Sequence, residues 1–399
     1  MLRSSVLSAL LGVAVCLAAA ACSKVDRSAA LCPDCNVVLI SMDTVRADHL
    51  GAYGYDRETS PNVDRFAERA TVFENAISQS AWTLPAHGSM MTGLYPSRLG
   101  VSHYPAKRGL PKVRMLADSF HAAGYATGAF TGGGFVAAHF GFARGFDVYT
   151  SDGRRFEHNI DEAIDWLKQH QQRRFFLFLH GYDAHRPYFS LPEDKAALGI
   201  PGKRPAERRG YCLKVGREKP NDLDVVLKYY DASIRHGDRS VGQFLNALTA
   251  LGLADRTVVL ITSDHGEEFY EHGHCDHVRF LYREVVNVPL LLRVPGHDSV
   301  AKRIPDVVPA SISIAGTLLE LVGVDASDFP GASLLPLGQL PERLGEVDAR
   351  VDTVTVCHHG LRSLHARDLL RAAGFTRVRS LAGGIDRWAQ EVEPEMARY

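Results

Sequence analysis

A hydroxyl, several carboxylates and several imidazoles stand at turns of this chain where they could meet. In Ser80 to Pro96 (SAWTLPAHGSMMTGLYP), Thr83 precedes Pro85, which pre-sets φ just inside a helix start. A hydroxyl there faces free backbone N–H groups and the positive end of the helix dipole, a setting suited to phosphate or sulfate. Plain helix capping is the alternative on this window alone. Asp43 follows the apolar run Asn36 to Met42 (NVVLISM), and Asp264-His265 follow Thr257 to Thr262 (TVVLIT). His180, Asp183 and His185 come just past Arg174 to Leu179 (RFFLFL).

Alternating elements position these groups. Strands are expected at Asn36–Met42, Tyr125–Phe130, Arg174–Leu179, Thr257–Thr262 and Val288–Val294. Amphipathic helices are expected at Ser60–Ala70, Met115–Ala123, Ile160–His170 and Asp224–Leu251. Such alternation predicts an α/β fold with a doubly wound, mostly parallel sheet, whose ligands gather beyond the strand C-termini. One acidic strand end is ordinary. Here Asp43, the Thr83 turn, His185 and Asp264-His265 are all delivered to one edge.

At 399 residues the chain exceeds a usual single core, which predicts one large domain and something smaller. A net charge of −1 gives no basic field for nucleic acid, so no nucleic-acid partner is expected. Near the N-terminus Arg3 is followed by an apolar run, Val6 to Ala21, too short for a spanning helix. Residues 1–22 end Ala19-Ala20-Ala21-Cys22 and resemble a bacterial lipoprotein signal, with Cys22 as the lipidated first residue of the mature protein. Ordinary cleavage after Ala21 is the alternative. Both imply an exported protein, periplasmic or at the cell surface, and the lipid would tether it to a membrane. In an oxidising compartment, Cys32-Pro-Asp-Cys35 could close a small disulfide.

Several motifs together resemble a known family. Asp43-Thr-Val-Arg-Ala-Asp-His-Leu-Gly-Ala-Tyr-Gly-Tyr55, Thr83-Leu-Pro-Ala-His87 and Met91-Thr-Gly-Leu-Tyr-Pro96 look like sulfatase-type members of the alkaline phosphatase superfamily. So do Tyr182-Asp-Ala-His185-Arg-Pro-Tyr188 and Ser263-Asp-His-Gly-Glu-Glu268. They occur in the family's order over roughly residues 36–335. The resemblance implies that Asp43, Asp264 and His265 bind a divalent metal together with Thr83, which takes the nucleophile position. His185 and His277 would act on the substrate anion or leaving group as general acid or base. His87 would contact the substrate.

The departures narrow the chemistry. Sulfatases proper place Cys or Ser in the nucleophile slot for oxidation to formylglycine. Thr83 is a secondary alcohol, whose oxidation gives a ketone, so no formylglycine is expected. Thr44 and His265 stand where the family's all-oxygen calcium site has an Asp and an Asn. One imidazole and fewer carboxylates favour Zn²⁺ or Mn²⁺, with Ca²⁺ the alternative. This set resembles the phosphodiesterase and phosphoglycerol or phosphoethanolamine transferase branch, which works through phospho-Thr. The expected substrate is a small-molecule, lipid or glycan ester of phosphate, or else of sulfate.

Residues 336–399 resemble the second half of a rhodanese domain, through Val354-Thr-Val-Cys357-His-His-Gly-Leu-Arg362-Ser363 and Leu381-Ala-Gly-Gly-Ile-Asp-Arg-Trp388. Cys357 would end a strand and open a loop whose amides, with Arg362, stabilise a thiolate or persulfide. The opening half of such a domain is missing, so the segment is expected to be partial. Sulfur transfer through Cys357 and a catalytically inactive anion-binding lipoprotein are the competing functions.

Overall fold

The computed structural model describes residues 30–102, 104, 108–152, 155–200, 223–297, 302–329, 344, 353–355, 361–380 and 387. Cys22 and the leader, Cys212 and Cys357 therefore lie outside the described residues. The chain runs β1 (Asn36–Met42), α1 (Pro61–Ala67), β2 (Thr71–Ile77), α2 (Thr83–Thr92), α3 (Pro96–Leu99) and α4 (Leu116–Ala122). It continues through β3 (Ala126–Phe130), β4 (Val148–Thr150), α5 (Phe156–His170), β5 (Phe175–Gly181) and α6 (Pro192–Ala197). The long α7 (Leu223–Ala250) leads to β6 (Thr257–Thr262), β7 (Glu268–Phe269), β8 (Cys275–Asp276) and α8 (Arg283–Val286). Then come β9 (Asn287–Val288), β10 (Leu290–Arg293), β11 (Lys302–Pro309) and α9 (Ala310–Leu321). Toward the C-terminus stand β12 (Thr353–Thr355), α10 (Leu361–Ala372) and β13 (Val378–Ser380).

A nine-stranded sheet takes the order β11-β2-β10-β6-β1-β5-β3-β4, with β9 added against β2. β1 lies inside it, parallel to β5 and β6, and is buried along its whole length. Its side chains alternate between the two faces. Val38 and Ile40 enter one apolar core with Val63, Ile160 and Val241, while Val37 and Leu39 enter the other with Leu84, Phe120 and Leu318. Helices thus cover both faces, which is why these strands are continuously apolar. The register aligns Ser41 with His180 on one side and Thr262 on the other, so Asp43 and Asp264 leave the sheet side by side.

The expected doubly wound, mostly parallel sheet is present, with one reversal. The expected strand Val288–Val294 is split at Pro289 into β9 and β10, because proline has no N–H for a ladder. β10 runs antiparallel to both β6 and β2. β2, β4, β11 and the β7–β8 hairpin have no counterpart in the sequence reading. β11 (KRIPDVVP) is mostly exposed at the sheet edge and carries a proline, so it lacks an apolar strand signature.

Helix starts depend on distant partners. Ser60 gives α1 no side-chain cap. Instead Asp238 of α7 accepts hydrogen bonds from the backbone N–H groups of Asn62 and Val63, at 3.1 and 2.8 Å, and from the Asn62 amide at 2.8 Å. Burial outweighs these donors and pushes the Asp238 carboxyl up to about 6. A raised carboxyl stabilises the fold fully below the ordinary carboxylate range and loses that contribution as pH rises through about 6. Asp238→Ala is therefore expected to lower unfolding free energy by about 2–3 kcal/mol at about pH 5 and by less at about pH 8, in urea titrations.

Cys32 and Cys35 form a disulfide ahead of β1, and Cys275 is also disulfide-bonded. In the tail, β12 and β13 pair in parallel, and Leu370, Phe375 and Val378 make a small separate core. Among the described residues no helix is long and apolar enough to cross a membrane.

Candidate functional site

Thr83 opens α2 directly beyond the ends of β1 and β6 and is buried. Its Oγ1 lies 3.4 Å from Asp43 Oδ2 and 3.4 Å from His265 Nε2. Nε2 of His265 is in turn 3.3 Å from Asp264 Oδ2. The donor atoms of Asp43, Asp264 and His265 all fall within 4.8 Å of one another. The four residues expected at the metal centre are therefore brought together from three separate parts of the chain.

Two histidines support this group from behind. The Gly132 N–H donates to His180 Nδ1 (3.3 Å), so the His180 proton is on Nε2, which donates to Asp43 Oδ2 (3.3 Å). His180 is wholly enclosed in β5, and burial, then the nearby His87, holds it well below the ordinary imidazole range. His87 is also wholly buried. Its Nδ1–H donates to the Thr83 carbonyl (3.0 Å) and its Nε2 meets Ser41 Oγ at 2.9 Å. Both ring nitrogens are thus occupied, which leaves His87 bracing the first turn of α2 with no free atom for a substrate. Thr44 turns its hydroxyl onto the Asp43 carbonyl (2.7 Å), while its N–H donates to Asp264 Oδ1 (3.3 Å). It does so at φ 60°, a strained setting for a β-branched residue, held by Tyr230 OH donating to the Thr44 carbonyl at 2.7 Å.

His185 and His277 lie at the more open side, their ring centres 5.2 Å apart. His185 Nδ1–H donates to the Arg186 carbonyl at 2.6 Å, leaving Nε2 free of that bond. Burial and the adjacent His277 lower His185 to about 4, so it is neutral near pH 7. His277 is lowered by burial too, and its ring centre sits 4.5 Å from that of His265. Buried Glu267, to which the sequence reading gave no role, reaches His277 Nδ1 at 3.2 Å. Cys357 lies outside the described residues, and Arg362 falls in α10.

The geometry fits a divalent cation. Asp43 Oδ1 and Asp264 Oδ2 are buried without a hydrogen-bond partner. His265 Nδ1–H donates to the Gly266 carbonyl at 2.9 Å, so its Nε2 presents a lone pair toward the Asp264 carboxylate and the Thr83 hydroxyl. Burial and the adjacent Asp264 carboxylate push Asp43 well above the usual range, because two buried carboxylates this close resist both ionising. Acceptors that converge in this way suit a cation.

The chain is 27% identical over 345 residues to an endo-4-O-sulfatase of Bacteroides thetaiotaomicron, covering 70% of this chain and 66% of the relative. It is 24% identical over 377 residues to arylsulfatase K of Rattus norvegicus, covering 82% and 66%. The chain thus spans about two thirds of the length of these relatives. Among solved structures, a phosphonate monoester hydrolase of Agrobacterium radiobacter superposes with a TM-score of 0.61 at 21% identity, over 73% of this chain and 74% of that one. A model of the rhodanese-like domain matches residues 308–391, beginning at the end of β11, which is still a strand of the large sheet. The Sulfatase family model matches residues 35–324, the span that holds every residue of the site above, and the chain belongs to the sulfatase family.

Proposed function

We propose that the chain is an exported, metal-dependent hydrolase or transferase of phosphate mono- or diesters, with Thr83 as nucleophile. The observation that carries this reading is the Thr83 hydroxyl itself, caged between Asp43 and His265 at the start of a helix. Thr83 Oγ1 forms the new bond to phosphorus as the bond to the leaving oxygen breaks. The hydroxyl proton has an acceptor at Asp43 Oδ2, and the leaving oxygen takes a proton from the imidazolium form of His277, with the neutral His185 beside it as a contact to the anion. Water or a second alcohol then releases phospho-Thr83. Asp43, Thr83, Asp264 and His265 would hold the cation, Zn²⁺ or Mn²⁺ ahead of Ca²⁺. When bound, it supplies charge that acidifies the hydroxyl and offsets the anion.

The relatives' names span sulfate and phosphonate esters, so the scaffold serves both kinds of anion. Thr83 favours phosphate for this chain, because a secondary alcohol cannot become formylglycine. The two disulfides support an oxidising compartment, and Cys22 supports a lipid anchor there. We place the catalytic domain at about residues 36–335 and the partial rhodanese-like segment after it. The decisive assay is a panel of aryl phosphates, phosphodiesters and aryl sulfates with Zn²⁺, Mn²⁺ or Ca²⁺ added. Faster turnover of phosphate than sulfate esters is expected. Preference for sulfate overturns the substrate, and no turnover with metal bound leaves an anion-binding lipoprotein. The rhodanese-like match favours a second activity, sulfur transfer through Cys357. Loss of thiosulfate-to-cyanide transfer in Cys357→Ser would establish it.

A further inference from the structure

The hairpin after the Asp264-His265 turn pairs Glu268 with Asp276 and Phe269 with Cys275. One step along the same antiparallel register, Glu267 stands opposite His277. The Glu267 side chain is 1% exposed, and its Oε1 lies 3.2 Å from His277 Nδ1. Asp276 Oδ1 faces the same nitrogen at 3.4 Å, while Asp276 Oδ2 is held by Arg186 at 2.5 Å. A nitrogen between two carboxylates must carry the proton, which leaves Nε2 as the working atom of His277. The backbone is fixed on either side of the ring. Asp276 and Val278 hold φ of 87° and 90°, strained for residues with a Cβ, and the Val278 N–H donates to the Ala81 carbonyl at 2.8 Å. That bond ties the His277 segment to the residues immediately ahead of Thr83. Gly266 permits the turn, since a Cβ there would lie 2.1 Å from the Glu284 carbonyl.

We infer that Glu267 is a positioning residue, which holds the Nδ1–H of His277 and so turns its Nε2 to the leaving-group oxygen. This rests on the Thr83 reading above. In the step it serves, His277 enters as the imidazolium: its Nε2–H proton passes to the departing oxygen as the Thr83 Oγ1–phosphorus bond forms and the bond to that oxygen breaks, and the ring is left neutral with Nδ1–H still on Glu267. A carboxylate holding the far nitrogen of a working imidazole changes activity by about 10- to 100-fold when it is removed.

The test uses the full chain with its metal, in Glu267→Ala, Glu267→Gln, His277→Ala and the Glu267→Ala/His277→Ala pair. Two phosphodiesters are compared, one with a nitrophenol and one with an alkyl alcohol as leaving group. Glu267→Ala is expected to lose about 10- to 100-fold on the alkyl ester and only a few-fold on the nitrophenyl ester, because a poor leaving group depends more on its proton. Glu267→Gln, which keeps an acceptor oxygen, restores part of the loss. In the His277→Ala background the Glu267 change adds nothing. Nitrogen-15 shifts of His277 report the Nδ1–H tautomer in wild type without any turnover. Equal losses on both esters, additive losses in the pair, an Nε2–H tautomer in wild type, or departure of a metal ion with Glu267→Gln each overturn the inference. The last of these assigns Glu267, Asp276 and His277 to a cation instead. Full activity of Thr83→Ala overturns the Thr83 reading and this one with it, whereas an inactive Thr83→Ala beside an unaffected Glu267→Ala overturns this one alone.

Discussion

Thr83→Ala is expected to lower turnover of a phosphodiester by about 10⁴-fold or more while leaving the fold and the bound metal in place. Alanine keeps the helix start, since α2 draws no capping bond from its N-cap Trp82 and is braced by His87 through a backbone carbonyl. Asp43, Asp264 and His265 remain to hold the cation. What disappears is the oxygen that attacks. Thr83→Ser keeps a hydroxyl at the same position and is expected to stay within about tenfold of wild type. Rapid quenching followed by peptide mass analysis should find phosphate on the Thr83 peptide of wild type and none in the alanine variant. An alanine variant that still turns over, with no adduct in wild type, would mean that water attacks directly.

Asp43→Asn should reverse the order of stability between the metal-free and metal-loaded states. Without metal, Asp43 and Asp264 are buried carboxylates with an orphaned oxygen each, and neutralising one removes their repulsion. Asparagine still accepts the His180 Nε2–H. In chelator, therefore, the variant should melt above wild type. With metal at about 1,000 times its dissociation constant, wild type gains about 4 kcal/mol and the variant far less, so the order inverts. Thermal unfolding of both proteins with chelator and with Zn²⁺ or Mn²⁺ checks this, together with metal content after gel filtration. A variant that binds one ion as tightly as wild type would remove Asp43 from the ligand set.

The site was largely legible because its pieces sit where apolar runs stop. Asp43 and Asp264 each follow a six- or seven-residue buried strand, and Thr83 precedes a proline, so their places need only local rules. His180 was harder to weigh, since it lies inside the run FFLFLHG and its partner Asp43 is 137 residues away. The role of His87 was locally encoded after all, one helical turn past Thr83, yet the family pattern drew attention to the substrate instead. Glu267 could be matched to His277 only through the register of a hairpin whose strands are two residues long. The reversed β10 was illegible for a different reason: an apolar run such as LLLR carries no mark of direction.

The assembly of the site from residues far apart in the sequence bears on when it can work. Asp264 reaches the Thr44 N–H across 220 residues of sequence, and β6 must find its place between β1 and β10 before that bond exists. Pairings of such separation form late in folding, because the loop must close before any contact compensates for its lost entropy. A chain still emerging from synthesis therefore has no cage to capture a cation. On the reading proposed above, a cation would be taken up only by the closed sheet, so the ions around the folded protein, more than the intrinsic ranking of cations, would set which one it carries.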